Sequence, residues 1–206
     1  MKDERLKKIV LVGMFAALSY AVFALCNAFF RIPLPGGSAV TIHLGNAVVV
    51  IAALIIGGPL GGLSGAIGMT FADLFDPVYI VYAPKTFFLK FCIGLVAGFV
   101  AHNIGHITTR KDLKKITLYV LLAAVAGLLF NAVFDPIIGY FYKLVIIGKP
   151  AAELALTWDI GITALNAVVS VVVSYVVYMA LRPVLLKTGN FFTLSDSKKA
   201  NTVTQN

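Results

Sequence analysis

Ten side chains stand out by type and position: His43, Asn46, Asp73, Tyr79, Tyr82, Lys90, Asn131, Asp135, Trp158 and Asn166. Each lies inside a long apolar run or at its edge. An imidazole, three amides, two carboxylates and an ammonium offer directional hydrogen bonds and charge. Two phenols and an indole offer flat faces. Such a set suits holding a small ring compound in an apolar pocket. In hydrocarbon, a charge near mid-bilayer costs roughly 2.5–3.5 kcal/mol on insertion scales, so groups like Lys90 need a partner or a task.

Each residue also has a purely structural reading. His43 suits a helix anchor as well as a ligand contact. Tyr79, Tyr82 and Trp158 suit an interfacial aromatic belt. Asp76 and Asp135 precede prolines and suit helix ends. Lys90 suits snorkelling or pairing with Asp73 or Asp135. The convergence of the ten on one end of several apolar runs carries more weight than any one of them.

The chemistry missing from the sequence narrows the class. There is no phosphate-binding GxxxxGK[ST], no GxSxG, no HExxH and no paired catalytic carboxylates on a helix. The expectation is a non-enzyme with no cofactor of its own and no metal. His102 and His106 are four apart but have no acidic or thiol companion, so a solvated helix end is expected there. Cys26 and Cys92 lie in separate apolar runs and read as packing residues.

Positioning these side chains requires membrane helices. The chain has 206 residues, 60% hydrophobic and 13% charged. No soluble core hides that much apolar surface. The expected fold is an all-α membrane protein, a six-helix bundle. Residues 1–185 form one domain, and 186–206 a polar cytoplasmic tail expected to be disordered. Spans are expected at 8–30, 43–57, 59–75, 84–102, 116–134 and 157–181. Pro136 is expected to end the fifth, leaving a long outer loop before the sixth. Of the seventeen Lys and Arg, twelve fall on the side of the N-terminus and five on the other. The positive-inside rule therefore puts both termini in the cytoplasm. The net charge of +8 marks the inner membrane face and calls for no nucleic acid. "RIPLPGGSAVTI" becomes a structured outer loop, and His43 and Asn46 share a face at the outer end of span two. Asp159, Thr163, Asn166, Ser170 and Ser174 form one stripe on span six.

Span one differs. Gly13, Ala17 and Ala21 recur every four residues, a surface that another membrane helix can approach closely. It is nearly free of polar groups, so it is expected to dock a partner and not to line a pocket. Gly57, Gly61 and Gly65 repeat the spacing and read as packing within the bundle.

The stretch "RIPLPGG…IHLGNAVVVIAALIIGGPLGGLSGAIGMTFADLF…YAPKTFFLK" resembles the S components of energy-coupling factor (ECF) vitamin transporters. The nearest branch is the hydroxymethylpyrimidine/pyridoxine type, which borders on the riboflavin type. The resemblance covers about residues 8–183 and is most specific over 31–98. It implies a bacterial multi-pass protein of the cell membrane, with six helices and a vitamin pocket near the outer surface. It also implies docking through Ala17-x-x-x-Ala21 onto a transmembrane coupling (T) subunit that carries two ATPases, with ATP used only by those partners. Gly13 extends that motif. The expected function is capture of a small heteroaromatic vitamin of the B6 or pyrimidine-precursor class, with the ten residues above forming the site. Riboflavin, pantothenate and folate remain open as ligands. A stand-alone channel or facilitator is the competing class.

Overall fold

The structure is a computed structural model that describes residues 2–34, 37–148 and 152–188. Six α-helices carry the fold among these residues: α1 (Lys2–Phe29), α2 (Gly45–Ile56), α3 (Gly58–Leu74), α4 (Ala83–Gly98), α5 (Leu113–Phe141) and α6 (Ala152–Thr188). Between α1 and α2 lies an antiparallel hairpin, β1 (Arg31–Leu34) and β2 (Ser38–Thr41). Its register pairs Arg31 with Thr41 and Leu34 with Ser38. The expected outer loop is therefore a small sheet. The tail beyond Thr188 lies outside the described residues.

Among the described residues, four segments are long and apolar enough to cross a membrane: Arg5–Phe29, Ile80–Ile104, Leu113–Ile147 and Ala155–Lys187. At 12 residues, α2 rises only about 18 Å, short of a bilayer core of roughly 30 Å. Every residue of α2 is buried, so it serves as the central rod of the bundle and meets protein on all sides. Around it, the outward faces are greasy: Phe29, Phe75 and Val145 are each more than 70% exposed. That distribution suits lipid as the surrounding solvent.

Glycines set how closely the rods approach. A Cβ on Gly58 would lie 3.0 Å from the carbonyl oxygen of Gly94, and one on Gly62 would lie 2.5 Å from that of Phe91. The facing positions Gly94 and Gly98 meet the backbone of Gly62 and Gly58 in return. So α3 and α4 touch main chain to main chain. Gly57, Gly61 and Gly65 do not form one packing stripe. Gly57 makes the α2–α3 turn with φ of 87°, while Gly61 and Gly65 seat against Ala53 and Val49 of α2.

The fifth helix departs from expectation. It runs through Pro136 to Phe141 and continues as a wider π turn, Tyr142–Ile147, ending at Gly148 with φ of 65°. The missing N–H of Pro136 costs about 3 kcal/mol in a helix interior. Contacts on both sides of the proline offset it: Asp135 pairs with Lys85 and Lys90, and Lys143 pairs with Asp159. The long outer loop is thus mostly helix. At the other end of the bundle, His102 Nε2 is 3.0 Å from the carbonyl of Ala53, and His106 sits in a turn with φ of 47°.

Candidate functional site

Short connections bring the hairpin, the 75–82 segment, the end of α5 and the start of α6 to one end of the bundle. Beneath the hairpin is a cavity of about 110 Å³. Its walls come from every element at this end. They are Phe23 of α1, Ala39, Val40 and Thr41 of β2, and His43 just before α2. Asp73 of α3 follows, then Tyr79 and Tyr82, and Lys85, Thr86, Leu89 and Lys90 of α4. Asp135 of α5, Lys143, and Asp159, Ile162, Thr163 and Asn166 of α6 complete them.

Charge dominates the wall between α4 and α5. Lys85 Nζ donates to Asp135 Oδ1 at 2.5 Å, and Lys90 Nζ to Asp135 Oδ2 at 3.4 Å. Lys90 also donates to Asn131 Oδ1 at 3.1 Å, while Asn131 Nδ2 donates to Asp135 at 3.4 Å. One carboxylate therefore serves two ammonium groups. On the neighbouring wall Lys143, 5% exposed, pairs with Asp159. Gly139 leaves the room for this: a Cβ there would lie 3.3 Å from Lys85 Nζ and 3.6 Å from Asp159 Oδ2.

The opposite wall holds groups with capacity to spare. Asp73 is 2% exposed, and its Oδ1 has no hydrogen-bond partner. His43 Nδ1 is likewise buried and without a partner, and its ring meets Phe23 edge-on at 4.8 Å. Burial pushes the His43 imidazole down to about 3; Lys90 adds to this and Asp135 opposes it. The ring is therefore neutral at ordinary pH and can give or accept one hydrogen bond.

The roof is fastened at several points. Asn166 Oδ1 accepts from the backbone N–H of His43 at 3.0 Å, and its Nδ2 donates to the carbonyl of Thr41 at 2.9 Å. Leu34 and Val40 pack with Ala155, Ile32 and Ile162. Arg31 pairs with Asp76 and lies over the Tyr79 ring at 5.0 Å. Tyr79 shares a 2.8 Å hydrogen bond with Thr41. Burial holds the Tyr79 hydroxyl up at about 12, so it keeps its proton in that bond.

Seven of the ten residues singled out by sequence line the cavity: His43, Asp73, Tyr79, Tyr82, Lys90, Asp135 and Asn166. The amide of Asn166 is already bound to the hairpin backbone. Asn131 stands behind the wall as a partner of Lys90 and Asp135. Asn46 is buried in α2 and is not on the cavity wall. His43 precedes the helix, so the two do not share a helical face. Trp158 is 44% exposed and does not line the cavity.

Sequence reasoning missed Lys85 and Lys143 as wall residues, and missed Phe23 from α1. The signal for Lys143 was available: Asp135, Gly139 and Lys143 are spaced by four, one face of a helix that continues past Pro136. On α6 Asp159, Thr163 and Asn166 reach the cavity, while Ser170 and Ser174 are fully buried. Gly13, Ala17 and Ala21 lie together on an exposed strip of α1, and a Cβ on Gly13 would meet nothing within 4 Å.

Comparison with known proteins bears on this arrangement. The family described as "ECF-type riboflavin transporter, S component" matches residues 4–183. A solved structure, the S component of a bacterial ECF transporter, superposes with a TM-score of 0.52 at 17% identity. The match covers 88% of this chain and 98% of that one. At that identity the superposition speaks for the fold. A search of curated proteins returns no match.

Proposed function

The chain belongs to the ECF-type riboflavin transporter S-component family, and from that premise we propose that it captures a small heteroaromatic vitamin outside the cell and delivers it by docking to an ATP-driven module. A multi-pass protein of the cell membrane that is a transporter subunit, and not an enzyme, is what the family provides. The carrying observation for capture is the roofed cavity, lined by ions of both signs, by Tyr79 and Tyr82, and by two polar atoms with free hydrogen-bonding capacity. Polar groups that are already desolvated and held in place bind a complementary ligand tightly, because their ordering is not charged to the binding step.

The finer reading is a single-ring ligand of the B6 or pyrimidine-precursor class. The cavity of about 110 Å³ supports it, being well below the roughly 300–1,000 Å³ of drug-sized pockets. His43, Asp73, Tyr79, Tyr82, Lys90 and Asp135 would contact the ring or its substituents. Asn166 would hold the hairpin roof from the wall and Asn131 would act from behind, while Asn46 and Trp158 would take no direct part.

Riboflavin is the second reading, and the description of the matching family favours it. A three-ring ligand would require the cavity to widen beyond its about 110 Å³. Native mass spectrometry of the purified protein tests both readings by identifying what co-purifies. A one-ring vitamin supports the first and riboflavin the second. A protein that carries nothing and binds neither compound in calorimetry ends the capture reading. The partners proposed are a transmembrane coupling subunit and two ATPases, met through the Gly13, Ala17 and Ala21 strip.

A further inference from the structure

Lys90, Asp135, Lys85, Asp159 and Lys143 form a row of alternating sign across α4, α5 and α6. Asp135 holds both Lys85 and Lys90, and Asp159 holds Lys143. Among the described residues, the one link in this row that is not an ion pair is the link from Lys85 to Asp159. Gly139 lies at that gap. A Cβ on it would stand 3.3 Å from Lys85 Nζ and 3.6 Å from Asp159 Oδ2. Lys85 Nζ is therefore at most about 7 Å from Asp159 Oδ2. An ammonium–carboxylate bond closes at about 2.8 Å, so a swing of about 4 Å at the tip of a flexible lysine joins them. Residue 139, being glycine, puts no side chain in that path. From the far wall Asp73 attracts Lys85 and Lys90 without forming an ion pair with either.

We infer that Lys85 is a switch cation, exchanging Asp135 for Asp159 across the Gly139 notch and so setting how firmly Lys143 holds the outer end of α5. With Lys85 on Asp135, as here, Asp159 belongs to Lys143 alone. With Lys85 on Asp159, Lys90 keeps Asp135, and Lys143 has to share its carboxylate. In each state one carboxylate serves two ammonium groups. Neither state strands an ion, which is the costly event in a buried network. Two arrangements of similar energy are what a switch requires. Lys143 belongs to the π turn Tyr142–Ile147, which is also tied by Tyr142 donating to the carbonyl of Val81 at 2.8 Å. Sharing Asp159 loosens this turn. An occupant of the cavity that draws on Asp135 drives Lys85 across and is thereby reported at the end of α5. That use rests on the capture reading above, whereas the exchange between carboxylates does not.

Hydrogen exchange at the amides of residues 142–148, followed by mass spectrometry on the detergent-purified protein, tests the switch without any ligand, so it can fail while the capture reading stands. Asp135→Asn removes the present acceptor of Lys85 and is expected to speed exchange there by about fivefold or more. Adding Lys85→Met should return the rate to within about twofold of the wild type, because Asp159 again serves Lys143 alone. Adding Lys90→Met instead also removes a stranded ammonium but leaves Lys85 free to cross, so exchange should stay fast. Adding Gly139→Ala puts a methyl in the path and should slow it. A wild-type rate in Asp135→Asn overturns the inference, and so does rescue by both lysine changes or by neither. Lys85→Met alone keeps the test open if the Asp135 variants fail to fold. It should slow exchange in this turn by about twofold or more, and an unchanged or faster rate overturns the inference.

Discussion

Lys90 and Asp135 lie on different helices, yet their Nζ and Oδ2 atoms meet at 3.4 Å on the cavity wall, with Asn131 hydrogen-bonded to both. Asp135 is also the carboxylate for Lys85. Removing it strands two ammonium groups, whereas removing Lys90 leaves Asp135 still paired. Breaking a buried pair from the side that leaves charge behind costs about 3–5 kcal/mol. Asp135→Asn is therefore expected to lower the thermal midpoint in detergent well below that of Lys90→Met. Adding Lys90→Met to Asp135→Asn should recover part of the loss. Equal losses for the two single variants would contradict the shared-carboxylate arrangement.

The roof gives a kinetic prediction. Arg31 ties the hairpin to Asp76 and covers Tyr79, while Asn166 ties it to α6. Neither Arg31 nor Asp76 lines the cavity. Arg31→Gln should leave the wall unchanged but loosen the roof, and affinity changes of this kind fall mainly on the off-rate. Stopped-flow release of the co-purified ligand should quicken several-fold. Asn166→Ala should speed hydrogen exchange at the His43 amide, whose acceptor is lost. An unchanged release rate in Arg31→Gln would show that ligand leaves by another route.

How much of this was legible in the sequence depends on which forces act locally. The apolar runs, the α2–α3 turn at Gly57 and the polar gathering at one end follow from composition and spacing. The course of α5 was not legible, because Pro136 reports only its own backbone penalty. The pairs that offset it, Asp135 with Lys85 and Lys143 with Asp159, join residues 50 and 16 apart. Once α5 was cut short, Lys143 read as a loop cation and its place beside the cavity was lost. Trp158, offered by the sequence both as a ring-stacking group and as an interfacial-belt aromatic, is not on the cavity wall, whereas its neighbour Asp159 is, because neighbours in a helix face different ways.

The His43 imidazole yields a pH prediction. Its value is about 3 in the folded protein and 6.5 ordinarily. The unfolded chain therefore binds a proton at a pH where the folded chain does not. Stability from this residue is complete above about 6.5 and falls as the pH drops towards 3, with a limiting slope of about 1.4 kcal/mol per pH unit. His43→Gln should flatten the decline in thermal midpoint between pH 6 and roughly 4. An identical pH profile in that variant would mean the ring is protonated in the fold.

Glycines separate packing from open surface. Gly94 faces the backbone of Gly62, while Gly13 faces nothing within 4 Å. Gly94→Ala must push α3 and α4 apart, and overpacking of this kind costs about 1–3 kcal/mol or more where backbone cannot yield. Gly13→Ala adds a methyl to an exposed helix and should stabilise by roughly 0.5–1 kcal/mol. Thermal midpoints of the two variants should move in opposite directions.

The strip on α1 carries the last prediction. Gly13, Ala17 and Ala21 are exposed, and larger apolar residues flank them: Met14, Leu18 and Leu25 are each about half exposed or more. Small residues in a row let a second helix come close, and in a bilayer close packing is a main source of helix association. Phe23 reaches the cavity from the other side of the same helix, so α1 touches both the ligand chamber and the lipid-facing strip. Ala17 is exposed and borders an apolar groove with Tyr20, Phe71 and Phe75, so Ala17→Phe places bulk on the outer face of the bundle and away from the cavity. Its ligand affinity and thermal midpoint should match the wild type, because the cavity wall is untouched. Uptake by cells that also hold the coupling module should fall by about tenfold or more, the factor expected for losing about 1.4 kcal/mol of docking. A stand-alone facilitator would transport as before, and a variant with intact uptake would move the docking surface elsewhere on the bundle.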